Sequence, residues 1–334
     1  MAAAAGELTQ KAINFGEIVL DPTLMPRIET LVRENYGANP GCVLHEHWEK
    51  SNKKDYERAL KKRRLEALHW IGDGYPKKTS FVNPNPDVAG LARRFKNTDT
   101  LDVQSGLYQF YEIIKHYNSQ GIDLLNLEKV KIVEVGGGYG RLAMFFLAYF
   151  GSRCHYVSVD FVPTSLTFAP QVIRQAFPEL QVADTITLAS NKEISLGDFN
   201  FVSLPTWEIG RLGPQQYSLG INIHSFQEMK KTSFAFYIEQ FHRLLASRSL
   251  LYTINNPPDN SPPELYTRTE ALWRRGLRRL TGWPKRRVHP RFEDHSWYGF
   301  EQWFTEISSK VLPYGSDWVR ISGIPTLERA FVKR

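Results

Sequence analysis

The residues most able to do chemistry sit in one short run. In Val133-Glu134-Val135-Gly136-Gly137-Gly138-Tyr139-Gly140 a carboxylate stands two residues before glycines at alternate positions. Glycine is needed where backbone must approach a ligand closely or take a positive φ. The following apolar segment, Leu142 to Phe150, reads as a helix whose first turn offers free N–H groups and a positive dipole end. The spacing excludes two nucleotide-binding loops. A dinucleotide loop would need a glycine three residues after Gly138, where Arg141 stands. A phosphate-binding P-loop would need Gly-Lys-Ser or Gly-Lys-Thr, and neither follows. The plain alternative is a glycine turn that packs helix on strand and holds no ligand.

A second group follows a later apolar run, Leu219 to Ile223: His224-Ser225-Phe226-Gln227-Glu228-Met229. An ordinary histidine changes charge near neutral pH, so His224 could take a hydroxyl proton as general base. Glu228 could do the same if burial raised its pKa, and Gln227 could orient an acceptor hydroxyl. His224 as a satisfied core histidine is the alternative. His295, between Asp294 and Ser296 in a segment that could form an acceptor lid, is a third candidate base. Ser225, Gln227, Asn255, Asn256, Trp297 and Tyr298 are the expected acceptor contacts. With Phe300, Trp303, Tyr266 and Trp273 the last two form an aromatic group that could serve as a sugar platform or belong to the core. His45-Glu46-His47 looks like a metal pair, but on a helix its two imidazoles diverge by about 200° and no third ligand accompanies them, so no metal site is assigned.

These groups need a scaffold that brings separate strand ends together. Val130 to Val135, Tyr156 to Val159, Phe199 to Leu204, Leu219 to Ile223 and Leu250 to Ile254 read as short buried strands, with helices between them such as Phe234 to Leu245. Alternating strands and helices imply an α/β fold with a doubly wound, Rossmann-like parallel sheet. Trp318 to Ser322 and Glu328 to Val332 read as an antiparallel C-terminal hairpin. Residues 1–125 read as a mostly helical N-terminal region, with helices over Glu46 to Trp70 and Val103 to Tyr117 and a loop over Tyr75 to Pro86. Residues 126–334 form the expected catalytic domain, interrupted by a basic insertion at 257–305.

The glycine loop, the acid Asp160 that closes the second strand 24 residues after Gly136, and the terminal hairpin together resemble the class I S-adenosylmethionine methyltransferases. That resemblance implies a seven-stranded sheet and S-adenosyl-L-methionine as cofactor, with S-adenosyl-L-homocysteine as product. It implies cofactor contacts from Glu134, Gly136, Gly137, Gly138, Gly140, Asp160 and Phe161, since an Asp at that strand end can accept both hydroxyls of a ribose. The adenine edge would fall at Pro205, in Pro205-Thr206-Trp207, or at Asp198. Asp160-Phe161-Val162-Pro163-Thr164, Ser225-Phe226-Gln227-Glu228-Met229 and Tyr252-Thr253-Ile254-Asn255-Asn256 further resemble a family of sugar O-methyltransferases, over residues 104–256. The implied reaction is methyl transfer to a sugar hydroxyl. A nitrogen, carbon or RNA acceptor, or a non-catalytic cofactor-binding subunit, remains the alternative. Some sugar methyltransferases use a divalent cation, but nothing in this sequence supports one.

Composition sets the outer limits. Hydrophobic residues make up 42% and charged residues 23%, as in globular proteins, which excludes fibrous and disordered classes. Eight cations and no acid lie between 274 and 291, more than the whole net charge of +7, so the chain is locally rather than generally basic. Leu277, Leu280, Trp283 and Pro284 interrupt that run. It reads as an amphipathic insertion facing an anionic acceptor or a membrane surface, not as a nucleic-acid arm. Cys42 and Cys154 are too few for a disulfide framework, and Met1 to Glu7 shows no basic and apolar leader, so the expected location is the cytoplasm. A small-molecule or glycan partner is expected, nucleic acid is not, and an oligomer is compatible with the sequence.

Overall fold

The computed structural model of the protein describes residues 18–42, 101–255, 300–312 and 326–334. The expected helix Glu46 to Trp70, the loop Tyr75 to Pro86, the basic stretch 274–291 and the strand Trp318 to Ser322 lie outside these residues.

Helix α1 (Met25–Glu34) has a proline in its first turn, where the missing N–H costs nothing. Helix α2 (Leu101–Ser119) buries Leu107, Phe110, Ile113, Ile114 and Tyr117 at helical spacing. Strand β1 (Val130–Val135) leads through the glycines into α3 (Arg141–Phe150). Then come β2 (Cys154–Asp160), α4 (Pro163–Ala176), β3 (Val182–Ala183), α5 (Thr185–Ser190), β4 (Phe201–Pro205) and β5 (Tyr217–Ile223). The order closes with α6 (Lys231–Leu244), β6 (Leu245–Asn255), the short α7 (Phe300–Trp303), β7 (Phe304–Leu312) and β8 (Thr326–Lys333).

The strands form one sheet in the order β3-β4-β2-β1-β5-β6-β8-β7. All pairs from β3 to β6 are parallel, and β8 runs antiparallel to both β6 and β7. The period-two alternation of strand side chains fills two core layers. On one face Ile132, Tyr156, Leu219, Ile221 and Tyr252 pack against α2, α3 and α4. On the other, Val133, Val157, Val202 and Leu251 pack against α5 and α6. Helix α3 is apolar nearly all round because it lies between the sheet and α2. Phe110 of α2 meets Phe146 edge-on at 4.9 Å and Tyr149 at 5.8 Å. The segment before α1 is tied to α4 by two glutamines one turn apart. Gln171 bonds both main-chain groups of Asp21, and Gln175 both of Val19.

The doubly wound α/β sheet and its antiparallel C-terminal hairpin match expectation, with three corrections. The sheet has eight strands rather than seven. The extra one, β3, is a two-residue edge strand too short to show a periodic pattern. The hairpin pairs Thr326–Lys333 with Phe304–Leu312, not with Trp318 to Ser322. Phe304 and Thr305, assigned from the sequence to the 257–305 insertion, therefore begin β7. Among the described residues no helix is long and apolar enough to cross a membrane.

The α2–α3 layer yields the first prediction. Phe110 is fully buried, so Phe110→Ala leaves a cavity between the helices and should cost about 3–5 kcal/mol. The urea midpoint of unfolding should fall accordingly without a change in slope.

Candidate functional site

The strand order reverses at β1: the chain winds outward through β2 and β4 on one side and through β5 and β6 on the other. In such sheets ligands occupy the crevice at the carboxyl ends of the strands where the order reverses. The glycine loop caps that crevice. Gly136, Gly138 and Gly140 have φ of 79°, 56° and 79°, in the left-handed region. A side chain on Gly136 would collide with Ser225, and one on Gly137 with Ser158 and Glu134. Among the described residues, none but Gly138 and its chain neighbours has a heavy atom within 4 Å of where a Cβ would stand, which leaves a cradle.

Two acids lie under the loop. Glu134, buried near the end of β1, accepts a hydrogen bond of 2.7 Å from the Tyr156 hydroxyl. Burial pushes its carboxyl up to about 7, although the Tyr156 bond and the Arg141 charge pull it down. Asp160 ends β2. Its Oδ1 accepts from the amides of Phe161 (2.7 Å) and Val162 (2.8 Å), and its Oδ2 from Gly138 at 3.3 Å. Burial raises its pKa while these amides oppose the shift. Phe161 packs edge-on against Trp207, ring centres 6.2 Å apart. Pro205 pairs with Asp160 in register, and the next residue, Thr206, donates its hydroxyl to the Asp160 carbonyl at 3.2 Å. Glu134, the four glycines, Asp160, Phe161 and Pro205 are thus brought to one edge. Asp198 is not, and this corrects the sequence expectation. It is exposed and precedes β4, at the amino end of that strand and away from the crevice.

On the other side of the crevice, His224 follows β5 with φ 59°, and its N–H donates to the Ile254 carbonyl at 2.7 Å. A left-handed conformation is uncommon for a residue with a Cβ, and such strain gathers at functional sites. Ser225 donates to the Val135 carbonyl and accepts from Asn222, so its hydroxyl is turned inward beneath Gly136. Gln227 is buried and its N–H donates to Asn255 Oδ1, while Asn255 Nδ2 donates to Asn222 Oδ1. Glu228 ends the turn Phe226–Glu228. Asn256, His295, Trp297 and Tyr298 lie outside the described residues, as do His45-Glu46-His47, Tyr266 and Trp273. Trp303 is placed away from the crevice, stacked on His242 with ring centres 4.7 Å apart, just before β7 begins at the sheet's opposite edge. It therefore serves the core.

Asn222 is the residue that the sequence reading passed over. Its signal was an amide inside the otherwise apolar run Leu219 to Ile223. Its side chain donates to the Val135 carbonyl (2.9 Å) and to Ser225, and accepts from the Phe226 amide (3.1 Å) and from Asn255 (3.1 Å), which ties β1, β5 and β6 at one end.

No family model matches the chain, and no curated protein matches it. Solved structures similar to it include a geranyl diphosphate C-methyltransferase from Streptomyces coelicolor A3(2), in complex with Mg2+, geranyl diphosphate and S-adenosyl-L-homocysteine. That structure is 10% identical, covers 85% of this chain and 100% of its own, and has a TM-score of 0.44. A geranyl diphosphate methyltransferase in complex with GPP and sinefungin is 11% identical over 78% of this chain and 87% of its own, with a TM-score of 0.41. An arsenic (III) S-adenosylmethionine methyltransferase from Chlamydomonas reinhardtii is 13% identical over 61% and 62%, with a TM-score of 0.33.

Glu134 gives a pH prediction. Its folded pKa of about 7 lies above the ~4.3 of an unfolded glutamate. Its neutral form therefore contributes fully below about pH 4, and that contribution is lost as pH rises through 7. Glu134→Gln still accepts from Tyr156 and has no proton to lose. It should lose less stability than wild type between pH 5 and 8, and at pH 8 should exceed it by on the order of 3 kcal/mol. Denaturant midpoints at both pH values measure this.

Proposed function

We propose that the chain is an S-adenosylmethionine-dependent methyltransferase that moves a methyl group to a sugar hydroxyl. The observation that carries the cofactor is the cradle beside Gly138, bordered by a buried carboxylate whose Oδ2 accepts from the Gly138 amide at 3.3 Å. That arrangement suits a ribose. The open space admits the ring, and Asp160 can accept from its hydroxyls. Phe161 and Pro205 flank the same strand ends and would border the adenine, while Glu134 supports the loop from below.

The cofactor supplies, when bound, a methyl group on an already activated sulfonium. The chain has to align the acceptor and remove its proton. Holding the reacting atoms about 3–3.5 Å apart is worth several kcal/mol of the barrier. His224 is the proposed base, because its left-handed conformation at the end of β5 fixes where its ring starts, across the crevice from the glycine loop. Glu228 and His295 are the other proposed bases. Gln227, Asn256, Trp297 and Tyr298 are the proposed acceptor contacts, and Ser225 and Asn255 hold the strand ends through Asn222. The sugar as acceptor rests on the likeness of Ser225-Phe226-Gln227-Glu228-Met229 to the sugar O-methyltransferases. The eight cations of 274–291 favour an anionic glycan or glycolipid.

Calorimetric titration with S-adenosyl-L-homocysteine, with NAD as control, tests the cofactor. Saturable binding of the former alone is expected, weakened at least 10-fold in Asp160→Ala. His224→Ala should leave binding unchanged and lower turnover of a sugar acceptor by about 10²–10⁴-fold. A folded protein that binds neither ligand would overturn the proposal.

A further inference from the structure

A second group of ligand-type side chains lies away from the glycine loop. Glu112 and His116 are one turn apart on α2, hence on one face of the helix, and they meet Glu328 of β8. One ligand atom from each lies within 4.8 Å of the others. All three residues are buried, at 4%, 7% and 1% exposure. His116 Nε2 and Glu328 Oε1 are 3.7 Å apart, too far for a hydrogen bond. Neither atom has a hydrogen-bond partner among the described residues. The other Glu328 oxygen is fixed from outside: Oε2 accepts from the Tyr108 hydroxyl at 2.9 Å, which itself accepts from Lys310 at 2.9 Å. Glu328 Oε1 is thereby directed at His116. Tyr252 borders the cluster, its ring centre 6.1 Å from that of His116, and its hydroxyl is also without a hydrogen-bond partner among the described residues.

Two carboxyl side chains and an imidazole share a buried place in the core, where charge needs a counter-charge or a metal. Lys310 engages Tyr108 rather than a carboxylate. Lys115 reaches Glu112 at 3.4 Å but is largely exposed, so its effect is screened. A divalent cation would supply that counter-charge and would also satisfy the orphan atoms of His116 and Glu328. One imidazole nitrogen with two carboxylate oxygens suits a borderline or hard transition ion such as Zn2+ or Mn2+. Tetrahedral bonds of ~2.1 Å put donors about 3.4 Å apart, a few tenths of an ångström inside the present His116–Glu328 separation.

We propose that Glu112, His116 and Glu328 bind one divalent transition-metal ion, which joins α2 to β8. The reading does not depend on the proposed methyl transfer. It places the ion beside the reacting edge all the same, because Glu328 pairs with Ile254, whose carbonyl accepts the His224 N–H.

Full-length protein stripped with chelator is titrated calorimetrically with Zn2+ alone and with Mn2+ alone. One equivalent should bind, and the thermal midpoint should rise with ion concentration. Losing a direct ligand should cost more than the 10–100-fold that an outer-sphere partner costs. His116→Gln and Glu112→Gln should therefore each weaken binding by more than about 100-fold, while a His45→Ala/His47→Ala double variant should bind as wild type. Pulsed electron paramagnetic resonance of the Mn2+ form needs no variant and should show a coordinated imidazole nitrogen. Absence of a stoichiometric ion in wild type, absence of the nitrogen signal, retention of binding in His116→Gln, or its loss in the His45/His47 variant would each overturn the site.

Discussion

Three parallel strands must end side by side and then diverge, and one buried amide makes that possible. Strands β1, β5 and β6 leave unpaired carbonyl and amide groups at their carboxyl ends, and water does not reach Asn222, which is fully buried. A carboxamide offers both donors and an acceptor, and Asn222 uses them on Val135, Ser225, Phe226 and Asn255. A hydrophobic residue of similar size would strand several polar groups, each at a cost of about 1–3 kcal/mol. A carboxylate could not donate. The glycine loop depends on this junction, because Ser225, held by Asn222, is what Gly136 rests against.

The same edge accumulates polar and strained features that a packed core would avoid. Glu134 and Asp160 are buried acids pushed toward their neutral forms, and His224 takes a backbone conformation that its Cβ disfavours. The two sides of the crevice differ in kind. The β2–β4 side is knitted by Thr206, which bonds the Asp160 carbonyl and Tyr237, and by the Tyr237 hydroxyl, which links α6 to the Gly41 carbonyl. The β5–β6 side is knitted by side-chain amides. A rigid edge on both sides of an open cradle is what a pre-organised binding site requires.

Much of this was legible in the sequence. Apolar β-branched runs identified the central strands, because both faces of a parallel sheet are covered and the pattern is nearly continuous. The glycine spacing and Asp160 pointed to the edge of the sheet where the crevice opens, since their geometry is local to one turn and one strand end. The limits were physical too. A two-residue edge strand has no period. Asp198 was a candidate only while the start of β4 was uncertain by a few residues, and the strand's polarity decides which end can reach a ligand. Trp303 belonged to an aromatic group by proximity in sequence, whereas the direction of β7 carries it to the opposite edge. The cluster of Glu112, His116 and Glu328 was invisible because Glu328 lies more than 200 residues from the other two in the chain and meets them only through the pairing of β8 with β6.

That pairing has a consequence for the order in which the chain can assemble. Strand β8 emerges after β7 yet lies between β7 and β6, so a nascent chain that has extruded β7 has nowhere to place it. Until β8 leaves the ribosome, β6 is an open edge of the sheet and β7 lacks the one described strand it pairs with. Such edges pair readily with other chains, and sequence-distant closure is slow. Synthesis therefore passes through an aggregation-exposed interval that ends only when β8 arrives between its two neighbours.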